Sequence, residues 1–174
     1  MKYLAHYPKN LQDQVGQLIA EDRLGTMLLS KYPTSHAVRT DKALYTFVLD
    51  LKNEHLGKTE PLSKICFDSK LEVIQHALGT HTTVSRVQGS KLKSKREIRV
   101  ASLFKVVPLE FLKMIAVHEL AHIKEKDHNK AFYQLCTHME PNYHQFEFDL
   151  RLYLTHLDQV GQLSWPQPST QFRG

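Results

Sequence analysis

Between Phe111 and Ile123 almost every position is apolar, and only Lys113, His118, Glu119 and His122 interrupt the run. Apolar residues on nearly all sides predict a helix buried in a core. Its start is marked by Pro108, because the missing N–H of proline would be unpaired in a first turn anyway. Elsewhere the apolar positions fall at helical or strand spacing. Asn10 is placed to cap a helix carrying Leu11, Val15, Leu18 and Ile19, and Gly25 followed by TMLLSKYP reads as a break and a short second helix. Thr34 or Ser35 opens a longer helix with Val38, Leu44, Phe47, Val48 and Leu51 on its apolar side, ending near Gly57. Strand patterns follow in SKICFD, in the β-branched THTTVSRVQ and in EIRVASLF. GSKLKSK between the last two reads as a hairpin loop, with Gly89 as its turn or bulge residue. Past the buried helix, Asp127 is placed to cap HNKAFYQLCTHM, and Pro141 starts a helix carrying Phe146, Leu150, Tyr153 and Leu157. From Ser164 the chain reads as loop or disorder.

A helical first third, a strand-rich middle and a helical end make the fold class α+β. The 174 residues suit a single domain, with residues 1–60 a helical part packed on a core of 61–160, and 161–174 a flexible tail. At 41% hydrophobic and 24% charged, the composition is that of an ordinary globular protein. No apolar run is long enough to span a membrane and no secretory h-region follows Met1, so the expected location is the cytoplasm. Cys66 and Cys136 lie far apart without CxxC spacing, which excludes a disulfide framework or zinc ribbon and leaves them as buried apolar residues.

The net charge of +5 is uneven: Arg86, Lys91, Lys93, Lys95, Arg96 and Arg99 are opposed only by Glu97. Lysines on a hairpin can simply discourage edge-to-edge pairing of sheets. The same residues, Arg86 and Lys91 foremost, can instead form a substrate surface for phosphates.

The polar interruptions in the buried run spell VHELAHIKEKDH. Two imidazoles and a carboxylate without partners cost several kcal/mol to bury, so something must satisfy them. Residues four apart share a helix face, so His118 and His122 can aim one nitrogen each at a single metal about 2.0–2.1 Å away. Glu119 projects about 100° round the helix from His118, as suits a general base that does not ligate. HExxH in this setting is the zincin signature, with Glu119 as the catalytic residue. A catalytic zinc takes three protein ligands. His128 is the natural third, since the charged IKEKD stretch can finish the helix and turn, leaving His128 in the first turn of the next helix. Glu140, Glu147 and Asp149 are rivals for that place, and one of them is a candidate to orient a ligand imidazole. Zinc is expected at one per chain, although imidazole sites also take manganese, cobalt or nickel.

Residues 84–154, with the basic hairpin at Gly89 and Ser90, the EIRVA strand, the proline-led helix, HELAH and HNKAF, resemble the YgjP-like metal-dependent hydrolases, relatives of the WLM and SprT zinc metallopeptidases. The resemblance implies a compact zincin-like α+β domain, in which a small β-sheet packs against the HExxH helix and further N- and C-terminal helices complete it. Its implied activities are two: peptide hydrolysis, and pyrophosphohydrolysis of nucleoside triphosphates, particularly UTP.

The leading expectation is a zinc-dependent metallopeptidase, a protease in which Glu119 activates a zinc-bound water and Glu97 to Leu103 holds a peptide or protein substrate by strand addition. The alternative is a UTP pyrophosphatase on the same metal site, with nucleotide as partner and Arg86 and Lys91 on its phosphates. A second alternative is a nucleic-acid-associated, SprT-like protease or binding protein. The pI of 9.1 favours it, but the lysines of 91–95 lack the interleaved aromatics that stack bases.

Overall fold

The computed structural model describes residues 1–59, 61–71 and 96–169. The THTTVSRVQ strand, the GSKLKSK hairpin, Arg86 and Lys91 lie outside the described residues. Within them the chain forms α1 (Lys9–Ala20), α2 (Leu24–Lys31), α3 (Asp41–His55), β1 (Leu62–Asp68), β2 (Arg96–Ala101), α4 (Leu109–Ala121), α5 (Lys130–Met139) and α6 (Tyr143–Gln159). The architecture is α+β, as expected.

The two described strands pair in parallel, with Ile65 opposite Ile98 and Phe67 opposite Val100, and the register slips between Leu62 and Lys64. Ile65, Cys66, Ile98 and Val100 are buried. β2 stops at Ala101, and Ser102–Lys105 coils into a 3-10 turn, so Leu103 is not in a strand. α3 packs against β1 and α4 meets β2.

α4 is the centre of the molecule. Phe111, Leu112, Met114, Ala116, Val117, Leu120 and Ala121 are each fully buried, as an all-round apolar helix requires. α5 and α6 pack against it, and α2 lies across α6. The helix caps differ from the sequence expectation in three places. α1 begins after Pro8 rather than Asn10. α3 begins after Thr40, whose hydroxyl accepts from Ala43 N–H, because Ser35 and His36 are drawn into bonds with Pro166 and the 3-10 turn instead. Asn129, not Asp127, caps α5 by accepting from Phe132 N–H at 2.8 Å.

After Val160 the chain has no regular structure, yet Trp165 is buried, its ring 4.8 Å from that of Tyr153 and 6.0 Å from that of Phe111. The Pro166 carbonyl accepts from Ser35 N–H at 2.8 Å. A single apolar cluster therefore runs from Leu4 to Trp165. Among the described residues no helix is long and apolar enough to cross a membrane.

Candidate metal centre

α4 ends at Ala121 with His122 as its C-cap, and the chain turns tightly, Ile123 N–H bonding to the Leu120 carbonyl and Glu125 N–H to the Ala121 carbonyl. Arg96, the first residue of β2, donates to the Ile123 carbonyl at 2.6 Å. A cation on the carbonyls at the end of a helix is favoured by hydrogen bonding and by the helix dipole. It ties the sheet to the turn that reverses the chain. His128 is carried back over α4 by this turn and sits one residue before the Asn129 cap, not inside the next helix.

The result is a cluster of three imidazoles. The Nε2 atoms of His118, His122 and His128 lie 3.1–3.3 Å from one another. Ligands at about 2.0–2.1 Å from a tetrahedral ion would be ~3.3–3.4 Å apart, so the spacing is that of a shared cation. The proton inventory supports this. His122 Nδ1 is 2.8 Å from the Glu125 carbonyl, which can only accept, so that nitrogen carries the proton and a neutral ring offers a bare lone pair at Nε2. That lone pair is turned towards the Nε2 atoms of His118 and His128, as a shared cation requires. The donor set therefore fits a divalent transition metal, as neutral imidazole suits several of them.

The aromatic ring of Phe132, on α5 and fully buried, lies 4.5–5.0 Å from all three imidazoles. It is a floor that limits how far each ring can swing. On the other side, the hydroxyl of Tyr143 lies 2.8 Å from His118 Nδ1. Burial holds the Tyr143 phenol far above its ordinary value and pushes the Cys136 thiol up to about 12, so both keep their protons. Neither Phe132 nor Tyr143 was picked out by the sequence as a site residue. The HNKAF and EPNYH stretches hold them at fixed offsets after the motif, which is the only signal that points to either.

The acidic rivals are engaged elsewhere. Glu140 pairs with Lys113 at 2.5 Å, Glu147 with Arg151 at 2.9 Å, and Asp149 with Lys31 at 2.6 Å while accepting from Tyr32 and Gln145. Glu119 is half-buried on α4, and burial alone pushes its carboxyl up to about 8. A cation on the adjacent histidines would oppose that rise, since opposite charge favours the ionised form.

Residues 64–153 match the family described as YgjP-like, metallopeptidase domain. The chain is also 58% identical, over 162 residues covering 93% of it and 96% of the relative, to the UTP pyrophosphatase of Escherichia coli (strain K12). No solved structure matches the chain. A relative this similar that is named for a nucleotide corrects the expectation of a metallopeptidase acting on peptides. That expectation rested on HExxH, which specifies a metal and a base but not whether the group attacked is a carbonyl or a phosphoryl.

Proposed function

The chain belongs to the YgjP-like family, and on that premise we propose that it is a metal-dependent nucleoside triphosphate pyrophosphohydrolase whose substrate is UTP. The observation that carries the reading is the 58% identity, along nearly the whole chain, to a UTP pyrophosphatase, joined to an imidazole cluster spaced for a metal. In this reading His118, His122 and His128 hold one divalent cation, with zinc the first candidate for three imidazoles. When bound, such a cation polarises phosphoryl oxygens and makes a water more acidic.

The chain's own residues do the rest. Glu119, beside the ligand His118 on α4, takes a proton from the attacking water, and its carboxyl is kept ionised for that task by the cation on the neighbouring imidazoles. The water oxygen bonds to the α phosphorus as the bond from that phosphorus to the bridging oxygen breaks, so UMP keeps the new oxygen and pyrophosphate leaves with the bonding pair. Phe132 and Tyr143 hold the imidazoles in place during this exchange. Arg86 and Lys91, from the densest run of cations in the sequence, neutralise the triphosphate.

The test is to load the protein with zinc, manganese or cobalt, supply UTP and identify products by phosphorus NMR. UMP and pyrophosphate are expected, and Glu119→Gln should keep its metal while losing roughly 10²–10⁴-fold in kcat. No turnover with any of the metals, or release of UDP and orthophosphate, refutes the reading.

A further inference from the structure

Beside the imidazole cluster lies a second group of polar side chains, of which the hydrolysis uses only Tyr143. Tyr143, Glu147 and Arg151 recur every four residues along α6 and share one face. Tyr143, at one end of that face, touches His118. Glu147 takes one bond from Arg151 Nη2 at 2.9 Å, through a single carboxylate oxygen. Among the described residues its other oxygen has no donor.

Two phenols pack on the same stretch of α6. Tyr133 packs on α6 with its ring 6.4 Å from Tyr143 and 5.4 Å from His144, and the same ring lies 6.4 Å from His128. Tyr7 comes from the N-terminal segment and lies 5.1 Å from Phe148, next to Glu147 in the chain. That segment is fixed to α6 by the bond from Arg151 Nη1 to the Tyr3 carbonyl, 3.0 Å long. Both phenols are half-buried, and neither hydroxyl has a partner among the described residues. Burial raises both; the Arg151 guanidinium opposes the rise and the Glu147 carboxylate adds to it.

We infer that Tyr7, Tyr133 and Glu147 form the subsite that reads the uracil ring of the substrate. Uracil presents an acceptor, a donor and an acceptor along one edge, at O2, N3–H and O4. A carboxylate and two phenols supply the complementary set: Glu147 accepts from N3–H, and the two hydroxyls donate to O2 and O4. Cytosine reverses two of the three positions, so the carboxylate would face a bare N3. A site built to bond a particular group rejects the analogue that leaves its own polar atoms unpaired. The position fits as well, since Tyr133 is next to a histidine of the cluster where the phosphates would lie. The inference rests on the pyrophosphatase reading and adds to it the means of choosing the base.

Steady-state kinetics of the metal-loaded protein on UTP and CTP test it, with metal content and melting temperature measured for every variant. Tyr7→Phe and Tyr133→Phe each remove one oxygen and should each raise KM for UTP roughly three- to tenfold, the worth of one hydrogen bond. Glu147→Gln should raise it further, and in all three the preference for UTP over CTP should narrow while metal content holds. A preference unchanged in all three variants overturns the subsite and leaves the pyrophosphatase intact. A wild-type protein that turns over no UTP overturns both, before any variant is made. Should Glu147→Gln fail to fold because Arg151 loses its partner, the two tyrosine variants decide the matter alone.

Discussion

At the scale of single residues, the proton on each imidazole decides whether the cluster can hold a metal. His122 is settled by a backbone carbonyl, whereas His118 depends on a side chain, Tyr143. For His118 Nε2 to ligate, Nδ1 must carry the proton and donate it to the phenol oxygen. Tyr143→Phe removes that acceptor and strands a buried N–H. It should weaken metal binding about 10–100-fold in a chelator competition and lower the apo protein's melting temperature by a few degrees. An unchanged affinity would show that Tyr143 only fills space. The His118 and His122 pair was legible in the sequence because four-residue spacing on a helix leaves little freedom. Tyr143 was not, because its approach depends on how α6 lies across α4, and spacing along the chain carries no information about that. The three acids from which one orienting group was expected are reasonable by chemical type, but each pairs with a cation instead.

At the scale of elements, what positions the site is where helices stop. Asn129 caps α5 immediately after His128, so the cap fixes both the helix and the third imidazole. Asn129→Ala should cost about 1 kcal/mol of stability in denaturant unfolding. It should also lower metal affinity, whereas a cap substitution on α3 such as Thr40→Ala should cost stability alone. The connection between α2 and α3 is held differently. His36 Nε2 donates to the Phe104 carbonyl at 2.6 Å and Nδ1 accepts from Val38 N–H at 3.0 Å, an arrangement that only the neutral ring can make. Burial, assisted by Arg39, lowers its pKa below the ordinary 6.5. A base whose folded pKa is depressed binds fewer protons folded than unfolded, so its stability contribution is whole above about pH 6.5 and declines as the pH falls through the folded value. The metal-free protein should therefore lose melting temperature below pH 6.5, and His36→Gln should flatten that decline; equal slopes would exclude His36. Helix existence was readable from periodicity, but caps were misplaced by two to six residues. Several Ser, Thr, Asn and Asp stand near each boundary, and tertiary partners select among them. The parallel pairing of β1 with β2 was not readable either, since alternation marks a strand and not its neighbour.

At the scale of the whole molecule, one apolar cluster joins the N-terminal segment, the helices and the coil around Trp165, so the site is braced from both ends of the described chain. This is why the substrate could not be read from the motif: HExxH fixes a metal and a base, while the choice of substrate falls to charges and donors that come from far along the sequence. The long-range part of that choice is charge. A triphosphate must be met by fixed cations, and the run from Arg86 to Arg99 holds six, against a single acid. Two contacts to phosphate at about 1.5 kcal/mol each imply that replacing Arg86 and Lys91 by alanine raises KM for UTP on the order of 100-fold at low ionic strength. Because the Debye length shrinks from about 30 Å at 0.01 M salt to about 3 Å at 1 M, the wild type should lose most of that advantage as salt is added, and the two proteins should converge. Metal content should stay the same throughout, since no imidazole is changed. If the lysines only keep a sheet edge in solution, KM will not move at any salt concentration and the variant will differ in solubility alone. The slope of KM against salt separates these outcomes, because a solvated edge has no substrate charge to screen.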